Sequence, residues 1–158
     1  MPYVAGQKVQ ADDFGSSSTC AEYQQDASQS ISHVTNTELL YNTANQTSTL
    51  VTRATSGSGH SFTLERAGIW AISFTEAFTA NATGYREFWA AVNGSNFMRV
   101  NYAATTASDA SYTVGKVRPY AENDVIIIWC VQSSGGALNR VYVPGSNTGR
   151  VNFAWLGG

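Results

Sequence analysis

The chain has 158 residues, enough for one domain that buries about two-thirds of its unfolded surface. Charged residues make up 13%, aromatics 12%, and glycine occurs 14 times, a mixture that favours strands and turns over helices. A net charge of −2 leaves no basic footprint for nucleic acid or an anionic membrane, and no apolar run is long enough to span a bilayer.

Residues 1–28 hold few large apolar side chains and show no sustained period, so they read as an N-terminal arm. Tyr3, Val4, Val9 and Phe14 are the apolar residues with which such an arm would dock, and a short helical turn fits near Ala21 to Gln25. The arm is either an idle tail or an anchor that orders on a partner. The opening residues lack the apolar core of a secretory signal, and Cys20 and Cys130 form no disulfide framework. Together these features predict either a mature chain or synthesis and folding in a cytoplasm, and free thiols fit a reducing place of folding.

Residues 29–158 form the expected domain. Ile31 to Val34, Leu39 to Tyr41 and Leu50 to Arg53 are weak strands, and Ser56 to Gly59 breaks the chain. Ser61 to Leu64 resumes it, followed by Ile69 to Phe78, where Trp70, Ile72, Phe74 and Phe78 share one face. Tyr85 to Val92 comes next, with Phe88 and Val92 on one side and Tyr85 and Trp89 on the other. Asn93-Gly94 is a hairpin signal, and Phe97 to Tyr102 returns from it. Ser111 to Val117, Leu138 to Val143 and Val151 to Leu156 complete the set. About ten short antiparallel strands with turns between them predict an all-β sandwich.

The strand from Val125 to Gln132 is apolar on both faces. Val125, Ile127, Trp129 and Val131 point one way, and Ile126, Ile128 and Cys130 the other. A strand with one wet face alternates, so each side of this one needs a cover. The opposing sheet supplies one cover. The other is another copy of the chain or an intrachain loop, and the expectation places Ile126, Ile128 and Cys130 at that subunit interface. Burial there is worth roughly 1.5–3 kcal/mol for each large aliphatic side chain.

Catalysis has little to stand on, since His33 and His60 lie near no recognisable nucleophile, and the expectation is that the protein is not an enzyme. Two Cys and two His without close spacing predict no zinc site, and no cofactor motif occurs. Asp12, Asp13, Glu122 and Asp124 are oxygen donors for calcium in principle, although solvated turn acids are the commoner outcome. Tyr85, Trp89 and Tyr120 are the aromatics available for glycan contact, against the usual role of such rings in cores and interfaces.

The order of these signals resembles the complement globular-head and tumour necrosis factor superfamily. The matching positions are Phe62, Gly68, Trp70, Phe74, Asn93, Gly94, Asp124, Val125, Val131, Gly135 and Phe153, within residues 30–158. The resemblance implies a jelly roll that assembles as a homotrimer through apolar sheet faces. The chain lacks a collagen-like stalk and a recognisable receptor loop, so cytokine or complement activity is not implied. Its opening, Tyr3 to Gln7 followed by Ala11 to Phe14, resembles small virion surface proteins of tailed phages of actinobacteria. That second likeness implies a capsid decoration protein on the virion surface, with the major capsid protein or another virion protein as partner. A tail-tip or fibre module that binds a host glycan or protein is the alternative.

Overall fold

A computed structural model describes residues 19–105, 111–146 and 148–158. These contain thirteen strands and no helix. In chain order they are β1 (Cys20–Gln24), β2 (Gln29–Ile31), β3 (Thr37–Glu38), β4 (Thr43–Gln46), β5 (Val51–Ser56), β6 (Gly59–Leu64) and β7 (Gly68–Ala77). There follow β8 (Asn81–Val92), β9 (Ser95–Thr105), β10 (Ser111–Tyr120), β11 (Val125–Gln132), β12 (Leu138–Arg140) and β13 (Arg150–Gly157).

One sheet has the order β10-β7-β13-β1-β4, and a second has β5-β6-β11-β8-β9 with β3 alongside the end of β11. β2 and β12 form a separate ribbon. Pairing is antiparallel throughout the named strands. This is the expected all-β jelly-roll sandwich, with the short strands β2, β3 and β12 raising the number above about ten.

Alternation along the strands fills the space between the sheets. Trp70, Ile72 and Phe74 of β7, Val151 and Phe153 of β13, and Ala21 and Tyr23 of β1 enter from one side. Phe62 and Leu64 of β6, Phe88 and Ala90 of β8, and β11 enter from the other. Phe62 bridges the layers, its ring 5.0 Å from both Tyr23 and Phe153.

Two expectations are corrected. Ile126, Ile128 and Cys130 are 0% exposed in a single protomer, because they are the face of β11 that looks into its own sandwich. A side chain with no accessible surface cannot touch another subunit, so these residues are core, and the outward face is that of Ile127 and Trp129. The second correction concerns the arm. Cys20–Gln24 is a strand held between β13 and β4, and Ala21 and Tyr23 are core residues, so the domain begins before residue 29. The helical turn expected there is absent because the segment alternates buried and less buried positions at period two. Tyr3, Val4, Val9 and Phe14 lie outside the described residues.

A charged pair is buried where the end of β7 meets the β2–β12 ribbon. Glu76 occupies the inward position of β7 after Trp70, Ile72 and Phe74, and Arg140 of β12 donates to it through both Nε and Nη2, the latter at 2.9 Å. Tyr41 donates to Glu76 Oε1 at 2.5 Å, and Arg140 Nη1 donates to the Leu40 carbonyl at 2.7 Å. Both charged side chains are fully buried. Burial holds the Glu76 carboxyl above its ordinary value, and the Arg140 charge offsets only part of that rise. Burial alone would depress Arg140, but Glu76, through charge and hydrogen bonding, together with Tyr41 and Cys130, holds the guanidinium above its ordinary value.

Candidate functional site

The outward face of the six-stranded sheet is built by strand register. Trp129 of β11 lies opposite Trp89 of β8, and Trp89 lies opposite Arg99 of β9. One rung away, Ile127, Ala91 and Asn96 are aligned, and on the other side Val131, Glu87 and Asn101. Side chains on one face recur every second residue, so the two indoles meet with a rim of amides and charges on both flanks. The indole rings are nearly parallel, at 6° and 6.2 Å between centroids. Trp89 is only 7% exposed, whereas Trp129 is half-buried and open to the cleft.

Two adjoining clefts lie over this pair. One, of about 250 Å³, is floored by Trp89, Trp129, Ala91 and Ile127 and edged by Asn36 and Asn96. The other, of about 270 Å³, shares Asn36, Trp89 and Asn96 and adds Val34, Tyr85, Glu87 and Arg99. Arg99 Nε donates to Glu87 Oε1 at 2.5 Å, and Asn101 Nδ2 donates to Glu87 Oε2 at 3.1 Å. The Glu87 carboxylate is thereby held upright beside the cleft. Val34 forms part of the rim with φ of 52°, a left-handed backbone that a β-branched residue adopts only when its surroundings impose it. The imposing contacts are the bond from the Val34 N–H to the Gln132 carbonyl at 2.8 Å and the bridge between His33 and Gln132.

Of the glycan candidates, Tyr85 and Trp89 come together in this cleft, and Tyr120 does not. Tyr120 sits on β10, 5% exposed, against Phe97 and under the Arg118 guanidinium at 4.6 Å, and burial pushes its hydroxyl up to about 12. Asn36, Asn96 and Arg99 carry no signal of their own in the sequence, and Trp129 stands there only as a member of one apolar strand face. The signal was there for Trp129, which shares strand parity with Ile127 and faces a second tryptophan once β8 and β11 are paired.

The remaining candidates have structural work. His60 Nδ1 accepts the Tyr41 N–H at 3.0 Å, and burial, with Arg53 nearby, lowers its basicity. His33 Nδ1 accepts the Gly135 N–H at 3.2 Å. Asp124 accepts from Asn93 and from the Ala121 N–H, while Asn93 Oδ1 accepts the Val125 N–H, tying the β8–β9 hairpin to the start of β11. Asn93 and Gly94, with φ of 50° and 79°, supply the left-handed pair that a tight hairpin requires. Asp12 and Asp13 lie outside the described residues, among which no cluster of three metal-binding side chains occurs. No disulfide joins Cys20 to Cys130, and burial raises the Cys130 thiol far above its ordinary value.

The outward face of the five-stranded sheet is different. Val117, Ala71, Ala154 and Cys20 form one rung across β10, β7, β13 and β1. Beside it stand Pro119, Ile69 and Leu156, with Val117 and Leu156 both 59% exposed. Toward the other end the rungs turn polar, with Ser73, Asn152 and Glu22 and then Thr75, Arg150 and Gln24. Arg150 and Glu22 form an ion pair there at 2.9 Å.

No family model matches the sequence, and no curated protein sequence matches it. The fold has clear counterparts among solved structures. Murine APRIL at pH 5.0 superposes with a TM-score of 0.62 at 11% identity, covering 87% of this chain and 98% of that one. Eiger TNF from S. frugiperda gives a TM-score of 0.63 at 7% identity, over 87% and 91% of the two chains. The PRD1 vertex protein P5 gives 0.58 at 16% identity, over 86% of this chain and 71% of that one. The chain thus has the jelly-roll fold of TNF-like proteins, a fold it shares with a viral vertex protein.

Proposed function

We propose that the protein is a structural component of a virus particle, a homotrimer that decorates and reinforces the capsid. The observation that carries this reading is the five-stranded sheet's outer face, apolar at the end of Val117, Ile69 and Leu156 and polar at the end of Glu22 and Arg150. Full burial of an exposed aliphatic side chain gives about 1.5–3 kcal/mol, and a trimer repeats that gain at each of its seams. The small residues Ala71 and Ala154 between the larger ones let a neighbouring sheet approach closely. The ion-paired end serves as a wetter rim. The likeness to a vertex protein supports a virion setting, and the likeness to TNF-like folds supports self-association through a sheet face.

In this reading residues 1–18, with Tyr3, Val4, Val9 and Phe14, are the capsid-binding anchor. Three arms held on one trimer bind with raised effective concentration, so weak contacts per arm add up. Binding to the assembled shell alone shifts the balance toward assembly. The partner is the major capsid protein or another virion protein. Electron microscopy of particles carrying the labelled protein tests the location: density on capsomers supports decoration, and density confined to the tail tip overturns it. Deleting residues 2–17 spares β1 and is expected to leave the trimer intact while abolishing attachment. A truncated trimer that still decorates particles removes the arm from the anchoring role.

A further inference from the structure

We infer that the cleft over Trp89 and Trp129 is a binding site for a hexopyranose unit of a neutral surface glycan, stacked on the indole of Trp129. A pyranose has one face of C–H groups and a girdle of hydroxyls. The C–H face is apolar and faintly positive, and it rests on the electron-rich face of an aromatic ring. The hydroxyl girdle needs donors and acceptors at the ring's edge, each able to satisfy an O–H that has left water. This cleft has both parts. Trp129, Ile127 and Ala91 make the apolar floor, the Asn36 and Asn96 amides offer a donor and an acceptor apiece, and the Arg99–Glu87 pair does the same at the far edge.

The chemistry favours a sugar over a protein partner. The large exposed apolar side chains on this rim are Val34 and Tyr85, too little for the roughly 800 Å² per side of a stable protein contact. Each cleft lies just below the ~300–1,000 Å³ of drug-sized pockets, a size suited to one or two sugar rings. The Arg99 charge is matched by Glu87, and the Glu38 carboxylate opposite Trp129 adds negative charge only, so nothing here favours an acidic sugar. The bond from the Val34 N–H to the Gln132 carbonyl and the His33–Gln132 bridge hold this part of the rim to the end of β11, which reduces the ordering cost of binding. The site lies on the sheet opposite the proposed seam, so a trimer would present three of them outward. The inference holds wherever on a particle the protein sits.

The test is titration of the full-length protein with neutral oligosaccharides of glucose, galactose, mannose and N-acetylglucosamine, followed by tryptophan fluorescence and by saturation-transfer NMR. Saturable binding of at least one of them is expected, with transfer strongest to the C–H protons of one ring face. Trp129→Ala is expected to weaken it more than tenfold, Trp129→Phe by less, and Asn36→Ala or Arg99→Ala by several-fold. Val117→Asp, on the opposite sheet, should leave the affinity per protomer unchanged. Circular dichroism establishes that each variant is folded, and the two rim variants keep the test valid if Trp129→Ala is not. Absence of saturable binding across the set overturns the inference, as does binding that Trp129→Ala, Asn36→Ala and Arg99→Ala all leave intact. If Trp129→Ala abolishes attachment to particles while no sugar binds, the face is a protein contact and the sugar assignment is wrong.

Discussion

The two outer faces of the sandwich are made by the same period-two rule, and they differ in what stands on the rungs. On the five-stranded sheet, Ala71, Ala154 and Val117 make a low apolar end. On the six-stranded sheet, Trp89 and Trp129 lie side by side as a floor with polar groups at its edges, forming clefts. A low surface lets another sheet approach, whereas a recessed aromatic floor with a polar rim holds something small. Size along a strand thus separates an assembly surface from a binding surface even where both are apolar.

The sharpest way to break this division is to move one residue along β11. Ile128→Glu puts an unpaired charge into the core and is expected to cost more than about 4 kcal/mol, a large share of the ~5–15 kcal/mol that holds a domain folded. Circular dichroism and thermal melts check it, and a folded, merely dissociated protein would return Ile128 to a subunit seam. Next in size is the buried ion pair. Arg140→Leu strands the Glu76 carboxylate and is expected to cost about 3–5 kcal/mol by denaturant titration. Adding Glu76→Leu should restore most of the loss, because the unpaired charge is gone.

A milder contrast compares neighbours. Ile128→Ala is expected to cost about 2–5 kcal/mol, as for a buried aliphatic that leaves a cavity. Trp129→Ala, half-exposed on the other face, should cost less than Ile128→Ala in the same denaturant titration despite removing a larger side chain.

The smallest effect is in pH. His60 has its pKa lowered in the folded protein, so it binds fewer protons there than when unfolded. Stability is therefore complete above the ordinary histidine value of about 6.5 and falls as pH drops below it. His60→Gln should flatten that slope in melts between pH 7 and 5.

Much of this was readable from residues. The Asn93-Gly94 hairpin and the inward set of Trp70, Ile72 and Phe74 follow from turn chemistry and parity. Of the two apolar faces of β11, by contrast, only that of Ile126, Ile128 and Cys130 is fully buried, Val125, Ile127 and Trp129 keeping some exposure. Parity says which residues share a face, but not which face meets the opposing sheet, and Ile126, Ile128 and Cys130 were placed outward for that reason. β1 was read as arm because its five residues carry Cys20, Glu22 and Gln24 on one side, leaving Ala21 and Tyr23 too short a signal. Glu76 and Arg140 are 64 residues apart, and nothing local couples them. The cleft was half visible through Tyr85 and Trp89. Its other half depended on which strands lie next to β8, a long-range fact that brings in Trp129 and Arg99.

Sedimentation equilibrium of the full-length protein beside its Ala154→Arg variant addresses the assembly directly, since Ala154 lies mid-sheet on the low apolar rung. The expected result is three times the chain mass for the native protein and a single chain mass for the variant, with identical circular dichroism. A native protein that sediments as one chain, or a variant that remains trimeric, would contradict the assignment of that face as the seam.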